Sequence, residues 1–125
     1  MRLKEKISVI TGAASGFGKG IVKKFSEEGA KIIMADINKD LLEKVSKDLN
    51  QDFFHTDVAS SSSMKKLSEY VLKKYGTIDI MVNNAGITHL PKPLEEVGEE
   101  EFDKIFAVNS KSVFLCGKFF VPHMK

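Results

Sequence analysis

The sequence predicts an α/β fold in one domain over residues 1–125: a doubly wound parallel sheet between two helical layers. Three observations predict it. Short β-rich runs alternate with amphipathic helical runs. The connections between successive β-rich runs are of helix length, which parallel strands need and hairpins do not. Such crossovers wind right-handed and cover both faces of the sheet. Size agrees with this. The chain has 125 residues, 42% hydrophobic and 29% charged, enough for a single core, with no repeat, low-complexity segment or domain boundary.

The elements follow in order. "ISVIT", Ile7 to Thr11, reads as a buried strand, and a glycine cluster follows it. "GKGIVKKFSEEG" carries Ile21, Val22 and Phe25 at helical spacing and stops at Gly29, a natural helix end. "KIIMAD" is a second strand. "NKDLLEKVSKDLN" is a second helix, with Asn38 as its N-cap and Leu41, Leu42, Val45 and Leu49 on one face. "DFFHTDV" is a third strand, and "SSSMKKLSEYVLKKYG" a helix opened by serines and closed by Gly76. "IDIMVNNAG" is a fourth strand and "THLPKPLEEVG" a Pro-containing loop. From Glu99 one helix is expected nearly to the end, with Phe102, Ile105, Phe106, Asn109, Val113 and Phe120 as its buried stripe.

Composition narrows the function classes. Net charge is +2, from 19 Lys and Arg against 17 Asp and Glu, with the two signs interleaved. A nucleic-acid partner wants a one-sided basic stripe, so none is expected. Cys116 is the single cysteine and stands in an apolar run, which excludes an internal disulfide and reads as a buried, inert thiol. The apolar run of "MRLKEKISVIT" is too short for a signal peptide, and nothing approaches the roughly 20 apolar residues of a membrane span. The expectation is a soluble, cytoplasmic protein without a membrane partner. His55, His89 and His123 are scattered and suggest no metal site, with His89 on the loop just after "NNAG".

The chemistry is concentrated in "TGAASGFGKG". Gly12, Gly16 and Gly18 stand between the first strand and the first helix. A tight turn needs one residue without a Cβ, a pyrophosphate approaching backbone N–H groups needs a second, and close packing of helix on sheet needs a third. The helix N-terminus adds unpaired N–H donors and partial positive charge. About 20 residues further on, Asp36 ends the second strand, where a carboxylate can accept the hydroxyls of an adenosine ribose. Together they point to a dinucleotide. Asp36 favours NAD over NADP: a 2′-phosphate about 4 Å away costs ~1 kcal/mol in water and ~4 kcal/mol at an effective dielectric near 20. That is roughly fivefold to several hundredfold. No Arg or Lys stands at Ser15 or Ile37 to take a phosphate, while Lys39 is near enough to leave NADPH use open. A P-loop is disfavoured because no G-K-[ST] follows the glycines.

The spacing G-x-x-x-G-x-G after Thr11, together with "NNAG" at Asn83 to Gly86, "TDV" with Asp57 and Val58, and "VNSKSVF" with Asn109, resembles the classical short-chain dehydrogenase/reductase family from about Leu3 to Lys125. The resemblance implies a Rossmann-like three-layer fold with strand order 3-2-1-4. It implies cofactor contacts from Gly12, Ser15, Gly16, Phe17, Gly18, Asp36, Ile37, Asp57 and Val58, with Asn84, Ala85 and Gly86 behind the nicotinamide. It also implies a part for Asn109 in catalysis, holding a water and the catalytic lysine. The activity implied is hydride transfer between nicotinamide and a secondary alcohol or ketone, such as a 3-oxoacyl thioester, sugar or simple alcohol. A homo-oligomer, dimer or tetramer, would form through the C-terminal helix.

In that family a serine, then Tyr-x-x-x-Lys, follow the long helix, and this sequence ends before them. The expectation is the amino-terminal half of such an enzyme, truncated before a fifth strand, with an unprotected fourth strand, exposed phenylalanines and no activity of its own. Tyr70 and Lys74 do form Tyr-x-x-x-Lys. They fall in the last turns of the third helix, some 12–18 Å below the active edge at 1.5 Å per residue, and are expected as a solvent-facing pair. The competing reading is a non-catalytic dinucleotide-binding or oligomerising module.

Overall fold

The computed structural model describes residues 2–85 and 94–124. Gly86, His89 and most of the Pro-containing loop lie outside them. Four strands, β1 (Ile7–Thr11), β2 (Lys31–Asp36), β3 (Asp52–His55) and β4 (Ile80–Val82), form one parallel sheet in the order β3-β2-β1-β4. The helices are α1 (Gly16–Glu27), α2 (Lys39–Leu49), α3 (Ser61–Tyr75), α4 (Glu99–Phe106) and α5 (Ser112–Met124). The expected Rossmann-like layering and strand order are both present.

β1 is central and buried on both faces, which is why "ISVIT" carries no charged residue and no exposed polar alternation. Ile7 and Val9 join Ile33, Met64, Leu67, Val71, Leu115 and Phe120 in the core under α3 and α5. Ile10 turns the other way, to Val22, Ile32, Met34, Leu42 and Val45 under α1 and α2. Caps fix where the helices begin and end. Asn38 Oδ1 accepts from Leu41 N–H at 3.2 Å and Ser60 Oγ from Ser63 N–H at 3.2 Å. Each such cap is worth about 1 kcal/mol. Gly29 (φ 90°) and Gly76 (φ 80°) take the left-handed conformation that ends α1 and α3. No helix of the described residues is long and apolar enough to cross a membrane.

β3 and β4 are shorter than the sequence runs suggest. β3 stops at His55 because its last partner, Asp36, ends β2. β4 pairs only with Ser8 to Ile10 of β1, so its other edge has no partner strand among the described residues. Asn83 to Ala85 leave the ladder for side-chain partners described below.

The expected single C-terminal helix is interrupted. Ala107–Lys111 form a π turn between α4 and α5. This wide turn rotates the helix faces, so that Ser112, not Val113, enters the core with Leu115 and Phe120. The expected buried stripe is therefore wrong in its first part: Phe102, Phe106 and Val113 are each more than half exposed, and Asn109 is exposed too. Phe120 is fully buried, a contribution of roughly 1.5–3 kcal/mol. Phe102 and Phe106 instead stack on each other, 6.2 Å between ring centroids.

Tyr70 and Lys74 need a second correction. They do lie at the amino edge of the sheet, but they are not simply turned to solvent. Tyr70 Oη donates to the Asp52 carboxylate (2.8 Å), as do Lys74 Nζ (2.9 Å) and Tyr75 Oη (2.7 Å). Asp52 opens β3, so the cluster ties the end of α3 to the sheet. Burial opposes ionisation of Asp52, but the bonds from Lys74, Tyr75 and Tyr70 outweigh it and hold the carboxyl below its usual range. Burial, reinforced by the bond to Asp52, pushes Tyr75 up to about 12 and raises Tyr70 as well. A tyrosine so raised is a poor general base, which agrees with a structural role.

Candidate dinucleotide-binding site

At the opposite, carboxyl edge the strand ends converge on a cavity of about 450 Å³. Its size falls within the usual range for cofactor sites, and it opens between the ends of β1 and β4, where the sheet reverses its winding order. Gly12, Ser15 and Phe17 line it from the β1–α1 turn, Asp36 and Ile37 from the end of β2, Asp57 and Val58 from beyond β3, and Asn84 and Ala85 from beyond β4. The sequence had singled out all nine. Gly16 and Gly18 shape the wall without lining it, Asn109 is not among the lining residues, and Gly86 lies outside the described ones.

The three glycines stand in three different surroundings. Gly12 turns the chain at φ 62°. Gly16 has φ 59°, and a Cβ there would meet nothing within 4 Å, so its backbone borders open space. Gly18 is the packing glycine: a Cβ on it would run into the Gly12 carbonyl oxygen and lie 2.7 Å from Asn84 Nδ2. α1 starts at Gly16, two residues before the run from Gly18 that the sequence marked as helical, next to Ser15 and Phe17, which line the cavity. Ser15 occupies the N-cap without a side-chain capping bond, leaving its hydroxyl available to a ligand.

Asp36 is held in place from two sides. Its Oδ2 accepts from Ala14 N–H and its Oδ1 from Asn38 N–H, both at 3.0 Å. The carboxylate is thus fixed against the glycine turn, with further lone pairs for ribose hydroxyls. His55 Nε2 meets the Ile37 carbonyl oxygen at 2.9 Å and ties the ends of β2 and β3 together. Asp57 Oδ1 accepts from Ala59 N–H, and Asp57 N–H donates to Ser63 Oγ, both at 2.9 Å. At the rim, Phe17 is 87% and Ile37 62% exposed, two apolar side chains open to a ligand.

Thr11 is the residue that the sequence reading undervalued. Its fully buried hydroxyl accepts from both Asn84 N–H and Ala85 N–H at 3.0 Å. Asn84 Nδ2 in turn donates to the Gly12 carbonyl at 3.3 Å. One hydroxyl thus replaces the ladder that β4 gives up, and positions the "NNAG" backbone beside the glycine turn. The signal was a polar side chain at the end of the buried central strand, where it must find partners. Thr56, Lys104 and Val108 also line the cavity. Val108 and Lys104 were hidden because the register of α4 and the π turn cannot be read from periodicity.

Three features of the cavity suit a dinucleotide: an open-backboned glycine at a helix N-terminus, an unused N-cap hydroxyl, and a clamped carboxylate beside the glycine turn. Comparison with known proteins gives the family. The family model described as short chain dehydrogenase matches residues 6–125. The 3-oxoacyl-(acyl-carrier-protein) reductase of Thermotoga maritima is 40% identical over 99% of this chain and 52% of its own. The meso-2,3-butanediol dehydrogenase of Serratia marcescens is 35% identical over 99% of this chain and 50% of its own. The crystal structure of a 3-ketoacyl-(acyl-carrier-protein) reductase from Brucella melitensis complexed with NADH superposes with a TM-score of 0.93 at 39% identity, covering 97% of this chain and 50% of that one. The chain spans about half the length of the curated relatives it matches. With the strand order, the glycine turn and the anchored "NNAG" segment, that match places the chain in the short chain dehydrogenase family of oxidoreductases.

Proposed function

We propose that this chain provides the dinucleotide-binding half of an NAD-dependent oxidoreductase that interconverts a secondary alcohol and a ketone in the cytoplasm. The clamped Asp36 carboxylate carries the reading. It would accept the adenosine ribose hydroxyls and repel a 2′-phosphate. Gly12, Ser15 and the N–H groups opening α1 would hold the pyrophosphate. Ile37, Asp57 and Val58 would border the adenine, and Phe17, Asn84, Ala85 and Gly86 the nicotinamide side. When bound, the nicotinamide supplies hydride exchange with the substrate carbon. Asn109 is proposed as the catalytic contributor within the chain; it stands in a π turn, a feature frequent at functional sites.

A second reading, binding without turnover by the 125 residues themselves, is favoured by one observation. The Tyr-x-x-x-Lys pair, Tyr70 and Lys74, is tied to Asp52 at the edge away from the cavity. The apolar side chains Phe106, Val113 and Phe114, exposed on α4 and α5, support self-association through the C-terminal helix. Binding of NADH followed by its fluorescence tests the reading. Saturable binding that Asp36→Ser weakens for NADH, while narrowing the gap to NADPH, supports it. An Asp36→Ser variant with unchanged preference contradicts it.

A further inference from the structure

We infer that Lys104 is a cofactor-binding cation, supplying positive charge to the anionic dinucleotide from the α4 side of the cavity. The inference rests on the dinucleotide reading above and adds a residue that no glycine or carboxylate pattern indicates. Lys104 and Val108 stand one helical turn apart and both line the cavity. α4 and the π turn follow β4 in the chain, so the lysine comes from a different part of the chain than the ends of β2 and β3 that supply Asp36 and Asp57.

The charge inventory makes the lysine matter. The described lining residues include two carboxylates, Asp36 and Asp57, and one cation, Lys104. The contacts of both carboxylates are to backbone N–H groups and none is to a basic side chain, so neither charge is neutralised by an ion pair. A dinucleotide adds two negative charges on its pyrophosphate. Against these the N-terminus of α1 offers only about half an elementary charge. Lys104 supplies the remaining positive charge at the cavity.

The ordinary alternative is a surface lysine paired along its own helix. α4 offers acids for that, since Glu100 stands four residues before Lys104. That pair is not formed: Lys104 makes no ion pair among the described residues. Its ammonium is left for the ligand.

The test is NADH affinity of the 125-residue chain and of Lys104→Met, Lys104→Glu and Lys104→Arg, at low and high salt, with folding checked by circular dichroism. Lys104 is exposed, so the variants are expected to fold. A cation acting through charge within a Debye length predicts about three- to tenfold weaker binding for Lys104→Met at low ionic strength. Lys104→Glu should lose more, Lys104→Arg should bind close to the parent, and the differences should shrink as salt rises. If the parent binds NADH and Lys104→Met binds it equally well, or equally less at every salt concentration, the inference is overturned while the dinucleotide reading stands. If the folded parent binds no NADH at all, the dinucleotide reading fails and takes this inference with it.

Discussion

Replacing Gly18 by alanine should damage the cofactor site, whereas the same change two residues later at Gly20 should not. Both glycines lie in α1, where alanine is the better helix former by about 1 kcal/mol. Propensity alone would make both variants more stable. The surroundings differ. A Cβ at Gly20 meets nothing within 4 Å. At Gly18 it collides with the Gly12 carbonyl oxygen and lies 2.7 Å from the Gly12 carbonyl carbon and from Asn84 Nδ2. Carbon contacts need roughly 3.5 Å or more, so the Gly12 turn or α1 must retreat by about 1 Å. Two of the three clashing atoms are backbone, which cannot rotate away. Overpacking of this kind costs about 1–3 kcal/mol, more than the propensity gain. The retreat also breaks the Asn84 Nδ2 to Gly12 bond, which stands at the back of the cavity. Urea unfolding and NADH titration of both variants form the assay. Gly20→Ala should unfold at equal or higher urea and bind as the parent does. Gly18→Ala should lose about 1–2 kcal/mol net and at least tenfold in NADH affinity. A Gly18→Ala chain as stable and as tightly binding as Gly20→Ala would refute the packing argument.

Other predictions follow from the remaining clusters. The chain has two tyrosines, and both phenols are raised, so an ultraviolet absorbance titration of the folded protein should place both phenol midpoints above 10.0; Asp52→Asn should bring at least one back toward 10. A raised tyrosine stabilises the fold below its unfolded value of 10.0, and for Tyr75 that contribution is lost as pH climbs toward about 12, which pH-dependent thermal melts would show. Asp52, lowered from 3.8, stabilises above that value and loses its contribution as pH falls below it; at pH 7 Asp52→Ala should cost about 1–3 kcal/mol in urea unfolding. If exposed phenylalanines drive self-association, Phe106→Lys with Phe114→Lys should lower the mass seen in sedimentation without lowering the melting temperature.

The fold was legible where local signals and burial agree. β1 and β2 coincide with their apolar runs because both faces of each strand are covered, and α2 and α3 coincide because Asn38, Ser60 and Gly76 act as caps. The glycine turn and Asp36 were legible because few residue types suit a φ near 60° or a contact as close as that at Gly18. The C-terminal stretch was not. Periodicity assumes 3.6 residues per turn, and the π turn at Ala107–Lys111 breaks that phase, so a stripe through Phe102, Asn109 and Val113 looked buried and is not. The partners of Tyr70 and Lys74 were hidden for another reason: Asp52 is distant in sequence and meets them only through the strand order. Thr11 likewise becomes the anchor of Asn84 and Ala85 only when β4 lies beside β1.

The central claim is that Asp36 and the glycine turn form a working NAD site within these 125 residues. Calorimetric titration of the purified chain with NADH and with NADPH tests it most directly. Saturable NADH binding is expected, tighter than NADPH by roughly fivefold to several hundredfold. Equal or tighter binding of NADPH, or no binding of either by a folded chain, would contradict it.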